Sequence, residues 1–314
     1  MNTITKESLL DCHALIKRHT HKTPVLTSGL LDQYSGAELY FKCENFQRAG
    51  SFKMRGALHA IGKLDHAQQQ RGVVTHSSGN FAQALSLAAR SLGVTAHIVM
   101  PENAPHVKVE AVKGYGGKVY ICRPTLEARA EKAKELEDRY GATFIHPSNN
   151  MDVIMGQGTA AMELLDEFPD LQIVMAPVGG GGLIAGTALA AHFFCKDCRT
   201  IGGEPLAMDD AYRSMQEGKI EHNQSGTTIA DGLRTELGDI NFPIIMSYVD
   251  SIVRVEEKEI VAAMKLIWER MKILVEPSSA VPFAAVLREP KTFKGKKIGI
   301  ILSGGNVDLA KLPF

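Results

Sequence analysis

Lys53 is the residue of this chain whose sequence surroundings most strongly indicate chemistry. It lies in the run GSFKMRGA at residues 50–57, where a helix is predicted to begin. A nucleophilic lysine must be accessible yet neutral, and partial burial favours the neutral amine. Phe52 could pack beside a flat ring, and the charge of Arg55 would disfavour a second cation nearby. The run therefore predicts a reactive amine, although an isolated lysine is more often a solvated helix residue.

Four consecutive glycines, 179–182, separate a strand pattern from a helical pattern. Glycines leave backbone N–H groups unobstructed, and the positive end of the helix dipole also favours an anion, so the run predicts a phosphate site. No Gly-Lys-Ser/Thr follows, which argues against a nucleotide P-loop. Gly180, Gly182 and Ala185 also match G-x-G-x-x-A, with Glu204 near the position of a ribose-binding acid, so a dinucleotide remains an alternative.

Two polar loops, SSGN at residues 77–80 and SGGN at residues 303–306, follow apolar runs that end like buried strands. The first could bind a carboxylate through backbone N–H groups, or it could be a plain helix cap. Ser303 would place a hydroxyl at the carboxyl end of a strand, where α/β sheets bind ligands. Together with the lysine and the glycines, these loops are what a pyridoxal phosphate (PLP) enzyme needs.

The composition excludes several other classes of protein. Lys plus Arg and Asp plus Glu each number 35, so the charge predicts neither nucleic-acid nor membrane binding. The first residues lack a secretory pattern, and we expect a cytoplasmic enzyme. The five cysteines are irregularly spaced, which argues against a disulfide framework. Cys195 and Cys198 form a CxxC without a second pair, and we expect neither a metal nor a redox role for them.

Strand and helix patterns alternate along the chain, which predicts an α/β protein with parallel sheets. Residues 72–148 contain a complete strand–helix series and should form a small domain. Residues 1–71 and 149–314 should form a larger domain into which the small one is inserted. The fold class is therefore two open, parallel-sheet α/β domains.

Five motifs, taken together, resemble fold-type II PLP enzymes, and in particular the serine/threonine dehydratase and serine racemase group. They are SFKMRGA from residue 51, SSGN from residue 77, GGGGL from residue 179, EPS from residue 276 and SGGN from residue 303. The motifs come in the family's order and cover nearly the whole chain. The resemblance implies a homodimer and the tryptophan synthase beta-like fold.

The resemblance also implies a role for each cofactor residue. Lys53 would bond covalently to PLP and act as a base on one face of the substrate. Ser303 would face the pyridine nitrogen with Glu276 near it, and a hydroxyl there favours elimination over transamination. The other cofactor-binding residues would be Phe52, Asn80, Gly179, Gly180, Gly181, Gly182 and Leu183.

For the substrate, the resemblance implies that Ser77, Ser78, Asn80 and the backbone of Phe81 bind the α-carboxylate. Ser78 matches the base that racemases use on the opposite face, and Arg129 matches an arginine linked to domain closure. Two acids after a strand could ligate a hard cation or could be a helix start and a solvated face. The resemblance favours a Mg²⁺ or Ca²⁺ site formed by Glu204, the carbonyl of Met208, and Asp210.

The sequence departs from the family pattern at several positions. Phe81 stands where histidine is common, and Ser148 where the racemases have asparagine. Gly29 and Arg48 differ from the nucleotide site of the animal racemase, so activation by ATP is not expected.

The sequence therefore predicts a PLP-dependent dehydratase that converts L-serine or L-threonine into a 2-oxo acid and ammonia. The alternatives are a serine racemase and a threo-3-hydroxyaspartate dehydratase. The latter needs a further cation for the second carboxylate, and the sequence does not identify it. A different class, an NAD-binding or amino-acid-sensing module without PLP, would use the same glycine loop.

Overall fold

The computed structural model describes residues 4–223 and 226–314. Its strands are β1 (Val25–Leu26), β2 (Glu38–Cys43), β3 (Val73–His76), β4 (Ala96–Pro101), β5 (Lys118–Cys122), β6 (Thr143–Phe144), β7 (Ile173–Pro177), β8 (Arg199–Pro205), β9 (Ser251–Val255) and β10 (Lys297–Leu302). Its helices are α1 (Lys6–Ile16), α2 (Gly29–Ser35), α3 (Lys53–Gly62), α4 (His66–Arg71), α5 (Asn80–Ser91), α6 (His106–Gly114), α7 (Leu126–Tyr140), α8 (Met151–Glu167), α9 (Gly182–Phe194), α10 (Asp210–Glu217), α11 (Phe242–Tyr248), α12 (Glu257–Met271), α13 (Pro277–Arg288) and α14 (Pro290–Phe293).

The strands form two sheets. The larger has the order β1-β2-β10-β7-β8-β9, and all of its pairings are parallel except the antiparallel pairing of β1 with β2. The smaller has the order β5-β4-β3-β6 and is parallel throughout. Because β3 to β6 fall between β2 and β7 in the chain, the small sheet is an insertion into the large one. The predicted fold class is confirmed, while the domain boundaries at residues 72 and 148 stay a prediction.

The sequence patterns located most of these elements. The sequence pattern predicts strands at residues 118–122, 251–255 and 297–302, and β5, β9 and β10 have these ends. The pattern also predicts a helix over residues 125–140. Helix α7 begins one residue later, because the Thr125 side chain caps it by accepting the N–H of Ala128 at 3.1 Å. The four glycines lead into α9 as predicted.

Three helices pack so closely in the large domain that glycine is required where they meet. A Cβ atom on Gly156 of α8 would lie 2.6 Å from the carbonyl oxygen of Arg55 in α3. A Cβ atom on Gly158 would lie 2.5 Å from the carbonyl oxygen of Gly186 in α9. Helix α8 therefore fixes α3 against α9, and these two helices begin at the reactive lysine and at the glycine loop.

Four buried charged residues tie α3 and α8 to the large sheet. Arg55 donates to both carboxylate oxygens of Glu44 and both of Glu163, each at 2.8 Å. Lys42 Nζ also donates to Glu163, at 2.8 Å. All four side chains are at most 5 % exposed. Two positive and two negative groups balance here, which is the condition for burying such charges.

None of the helices among the described residues has the length and apolar character needed to cross a membrane.

Candidate active site

Lys53 is the first residue of α3, and the loop after β10 meets it directly. Ser51 forms a β-bridge with Gly304, and the N–H of Phe52 donates to the carbonyl of Ser303 at 3.0 Å. Lys53 Nζ donates to the carbonyl oxygen of Pro147 at 2.8 Å, on the loop between β6 and α8. The structure thus joins two of the predicted motifs through backbone contacts.

The surroundings of the Lys53 amine favour its neutral form. Burial lowers the pKa of Lys53 to about 8, and the opposing charge of Glu276 limits the shift. Nζ lies 4.9 Å from the ring centroid of Phe52 and 5.7 Å from that of Phe81. The prediction that the charge of Arg55 disfavours the ammonium form of Lys53 is wrong, because the Arg55 guanidinium points into the ion pairs with Glu44 and Glu163. An amine with this pKa can act as nucleophile and base near neutral pH.

The glycine loop is a cradle of free backbone donors. In the described part of the chain, no protein acceptor takes the N–H of any residue from 179 to 183. Gly181 has φ +77°, and a Cβ atom there would lie 2.6 Å from Leu237 and 2.7 Å from Asn241. The Asn241 amide donates to the carbonyl of Gly180 at 2.9 Å and holds the turn. Unpaired donors at the start of a buried helix fit a phosphate.

Asn80, Glu276 and Asn306 form a polar chain beside the amine. Asn80 Nδ2 donates to both carboxylate oxygens of Glu276 at 2.9 Å, and Asn306 Nδ2 donates to Asn80 Oδ1 at 2.9 Å. Burial raises the pKa of Glu276 to about 7, while the Asn80 hydrogen bond opposes that shift. The predicted cofactor residues Asn80 and Glu276 are therefore in direct contact.

Ser303 is buried at the carboxyl end of β10, as predicted from the strand pattern. Its hydroxyl lies 3.1 Å from that of Ser279. Ser279 is in turn fixed because it accepts the N–H of Gly304 and donates to the Gly304 carbonyl, both at 2.7 Å. The group available at this point is a neutral hydroxyl that an adjacent serine orients.

The loop at the start of α5 also presents donors. Ser77 Oγ accepts the N–H of Gly79 at 3.3 Å. Within residues 4–223 and 226–314, the N–H groups of Ser78, Asn80 and Phe81 have no protein acceptor, and the Ser78 hydroxyl has no hydrogen bond. Ser78 is partly exposed whereas Phe81 is buried. This arrangement fits a carboxylate bound at a helix N-terminus.

Two histidines that the sequence analysis gave no role lie next to this site. His146 Nδ1 accepts the N–H groups of Ser148 and Asn149, at 3.2 Å and 2.8 Å. Burial lowers the pKa of His146 to about 4, with further contributions from His76 and Lys53. His146 is therefore neutral at pH 7 and carries its proton on Nε2. The ring of His76 lies 6.3 Å from it, and no sequence motif signalled this pair.

The charge of Arg129, on α7, acts on His76. Burial lowers the pKa of His76, and the Arg129 charge lowers it further. Arg129 Nε is buried, and no acceptor among the described residues takes its hydrogen. A buried charged donor without a partner is costly, which indicates that an acceptor is missing from the protein alone.

Glu204 and Asp210 lie together in a separate buried position. The Glu204 oxygens accept the N–H groups of Ala211 and Tyr212 at 3.0 Å and 2.9 Å. Burial and the neighbouring Asp210 raise the pKa of Glu204, and burial raises that of Asp210 to about 6. Met208 lies between them in sequence, in the turn before α10.

A divalent cation would relieve the repulsion between these carboxylates, so the residues fit one. Two carboxylates are a small set, and no cluster of three or more His, Cys, Asp or Glu side chains suited to a metal occurs in the described ranges. Carbonyl groups and water would have to complete the coordination.

The cysteine pair lies beyond the carboxyl end of α9, whereas the glycine loop lies at its amino end. Cys195 follows the last residue of α9, and its thiol lies 3.6 Å from the carbonyl oxygens of Pro169 and Leu171. Burial raises the pKa of the Cys198 thiol. Protonated thiols are poor nucleophiles and poor metal ligands.

The comparison with known proteins gives the family. The model for "Pyridoxal-phosphate dependent enzyme" matches residues 16–304. The chain belongs to this family of PLP-dependent enzymes. It is 48% identical to serine racemase of Dictyostelium discoideum over 99% of this chain and 98% of that protein. The crystal structure of that racemase, at 49% identity, has a TM-score of 0.93 and covers 98% of this chain and 99% of the other.

Two other members of the family are named for different activities. The beta-hydroxyaspartate dehydratase of Paracoccus denitrificans is 46% identical over 99% of this chain and 98% of that protein. The crystal structure of the threonine deaminase of T.th. is 40% identical, with a TM-score of 0.93, over 98% of this chain and 100% of that one. These similarities place the chain among the fold-type II PLP enzymes. They also remove the support for a dinucleotide-binding or sensing module.

The family assignment agrees with the donor groups present. A buried amine of lowered pKa, a glycine cradle with free N–H groups and a hydroxyl at a strand end are what PLP requires. Sequence reasoning missed Pro147, Gln157, Asn241 and Ser279, which act through backbone carbonyls or support other site residues. A backbone acceptor leaves no sequence signal, because every residue carries one.

Proposed function

We propose that the chain is a PLP-dependent ammonia-lyase that converts L-serine or L-threonine into a 2-oxo acid and ammonia by α,β-elimination. The observation that carries the proposal is the Lys53 amine, held by a neutral carbonyl with its pKa lowered to about 8. A base with a pKa near the working pH combines a populated neutral form with useful basicity. PLP, when bound, supplies the electron sink that makes the substrate α-proton acidic.

The residues that would hold PLP surround that amine. Lys53 would bond to it covalently, and the N–H groups of residues 179–183 would bind its phosphate. Phe52 would border the ring, Asn80 would approach the ring oxygen, and Ser303 would face the ring nitrogen, with Glu276 next to it. The neutral Ser303 hydroxyl does not stabilise a charged ring nitrogen as a carboxylate would, which favours elimination.

Lys53 would be released from PLP when the substrate amine takes its place, and the freed Lys53 amine would then remove the α-proton of the bound amino acid. The free N–H groups at the start of α5, with Ser77 and Ser78, would hold the α-carboxylate. The electron pair of the broken Cα–H bond would form the Cα–Cβ double bond as hydroxide leaves Cβ. The released enamine would then hydrolyse to a 2-oxo acid and ammonia.

The test combines absorbance with a substrate panel. Purified protein should absorb near the edge of the visible range, and Lys53→Ala should lose that band together with 2-oxo acid formation. The panel is L-serine, D-serine, L-threonine and L-threo-3-hydroxyaspartate, each assayed with and without Mg²⁺. A colourless protein that binds NAD would refute the proposal.

An acidic β-hydroxy substrate is a second candidate, and Arg129 is the observation that favours it. Its buried Nε has no acceptor in the described part of the chain, and a second substrate carboxylate would provide one. One 46% identical relative is named as a beta-hydroxyaspartate dehydratase. Arg129→Gln should then lower kcat/KM for 3-hydroxyaspartate far more than for L-serine, while the exposed Arg139→Gln on the same helix should change neither. An equal loss for both substrates would contradict this candidate.

Racemisation is the third candidate, and it depends on Ser78. The Ser78 hydroxyl has no hydrogen bond within the described residues, so it is available as a base on a second face of the substrate. Ser78→Ala should abolish formation of D-serine from L-serine while elimination of L-serine persists. Loss of neither activity would refute this role.

We also propose that Glu204, the carbonyl of Met208, and Asp210 bind Mg²⁺ or Ca²⁺. The buried position of both carboxylates and the raised pKa of each support the assignment.

A further inference from the structure

The Lys53 amine shares its acceptor with a second side chain. Lys53 Nζ donates to the carbonyl oxygen of Pro147 at 2.8 Å, and Gln157 Nε2 donates to the same oxygen at 3.4 Å. Gln157 lies on α8 and its side chain is fully buried. The carbonyl that holds the amine is therefore itself held from the side of α8.

The other end of the Gln157 amide faces the glycine loop. A Cβ atom on Gly182 would lie 2.8 Å from Gln157 Oε1. No donor among the described residues reaches this buried oxygen. One side chain thus contacts both the acceptor of the amine and the predicted phosphate cradle, and it leaves a buried polar atom unpaired, which costs stability.

The rest of the loop before α8 is anchored at other atoms. His146 Nδ1 accepts the N–H groups of Ser148 and Asn149, and the Asn241 amide donates to the carbonyl of Ser148. Across residues 4–223 and 226–314, the hydrogen bonds to the Pro147 carbonyl come from Lys53 and Gln157 alone. Gln157 is consequently the side chain that can orient this carbonyl.

We propose that Gln157 is a positioning residue that holds the Pro147 carbonyl so that it orients the amine of Lys53. A carbonyl accepts one amine hydrogen without the full charge of a carboxylate, so it orients the amine while stabilising the ammonium form less. This inference rests on the proposed function, because it assumes that Lys53 is the catalytic amine. Its test uses a readout that does not depend on catalysis.

The test measures the pKa of Lys53 in full-length protein freed of PLP. The protein is labelled competitively with acetic anhydride across a pH series, and the Lys53 peptide is quantified by mass spectrometry. Gln157→Glu should raise the pKa by roughly 1–3 units, because it places a negative charge beside the shared acceptor. Gln157→Met keeps the length but removes the donor, so the carbonyl is released. The ammonium form then loses its acceptor, and the pKa should fall by about 1 unit.

Thr187→Val on α9 is the matched control. Like Gln157→Met, it removes a buried polar atom that has no partner in the described ranges, but the Thr187 hydroxyl makes no hydrogen bond to Lys53 or Pro147. The control should leave the pKa of Lys53 unchanged. Unchanged values in both Gln157 variants would refute the proposal, and so would a rise in Gln157→Met, since the amide would then be only a nearby dipole. If one Gln157 variant fails to fold, the sign of the Lys53 pKa shift in the other variant tests the proposal.

The two proposals fail separately. Retention of the absorbance band in Lys53→Ala would overturn the proposed function. The pKa shifts in the Gln157 variants are measured without the cofactor and would still report whether Gln157 orients the amine.

Discussion

Asn80 donates from one amide nitrogen to both carboxylate oxygens of Glu276, at 2.9 Å each. Asn80 begins α5, which packs against the small sheet, and Glu276 immediately precedes α13 of the large domain. The contact therefore joins the two domains beside the Lys53 amine. The group that accepts these hydrogen bonds is a buried carboxylate whose pKa is raised to about 7.

This raised pKa predicts how stability depends on pH. The folded state binds the Glu276 proton between pH 4.5, the ordinary value, and about 7, so folding stability falls as pH rises through that window. Glu276→Gln has no carboxyl group to titrate at this position. Its free energy of unfolding, relative to that of wild type, should therefore rise by about 3 kcal/mol between pH 4.5 and pH 8. Urea unfolding of protein without PLP measures this difference. The exposed Glu167→Gln on α8 should show no such gain. A pH-independent difference for Glu276→Gln would contradict the prediction.

Arg55 should contribute strongly to folding stability although it does not act on Lys53. Arg55→Met leaves the buried carboxylates of Glu44 and Glu163 without their main partner, which should cost about 3–5 kcal/mol in urea unfolding. The control is Arg199→Gln, whose pair with Asp250 is exposed and should be worth at most about 1 kcal/mol. Similar losses in both variants would argue against the buried network.

The left-handed turn of the glycine loop should be needed for the cofactor. Gly181→Ala must place a Cβ atom at φ +77° against Leu237 and Asn241, so we expect the Kd for PLP to rise at least about tenfold. Gly218 ends α10 with φ +70° and has open space around it. Gly218→Ala therefore carries similar backbone strain and should leave PLP binding unchanged. Equilibrium titration of PLP, followed by absorbance, measures both.

Divalent cations should stabilise the protein through Glu204 and Asp210. At a free Mg²⁺ or Ca²⁺ concentration about a hundredfold above Kd, the gain in unfolding free energy should be about 2.7 kcal/mol. Glu204→Gln should abolish this gain. Asp209→Asn should retain it, because the two Asp209 carboxylate oxygens are already paired with Arg213 and Arg254. Thermal unfolding with each cation and with EDTA distinguishes these outcomes.

The sequence by itself determined the fold class, the order of the elements and the motifs that carry the chemistry. Lys53, the glycine run and Ser303 were identifiable because short-range rules govern them: a lysine at a helix start, free N–H groups in glycines and a hydroxyl at a strand end. Asn80 and Glu276 were assigned to the cofactor only by family resemblance, which did not predict the hydrogen bonds from the Asn80 amide nitrogen to the Glu276 carboxylate.

The tertiary structure alone decided which atoms surround the amine. The pKa of Lys53 follows from burial, while Arg55, two residues away in sequence, points into other ion pairs. Pro147 and Gln157 reach Lys53 because the tight packing of α3 on α8 brings distant segments together. Hydrogen bonds and desolvation act over a few ångströms in space, and separation along the chain does not report that distance.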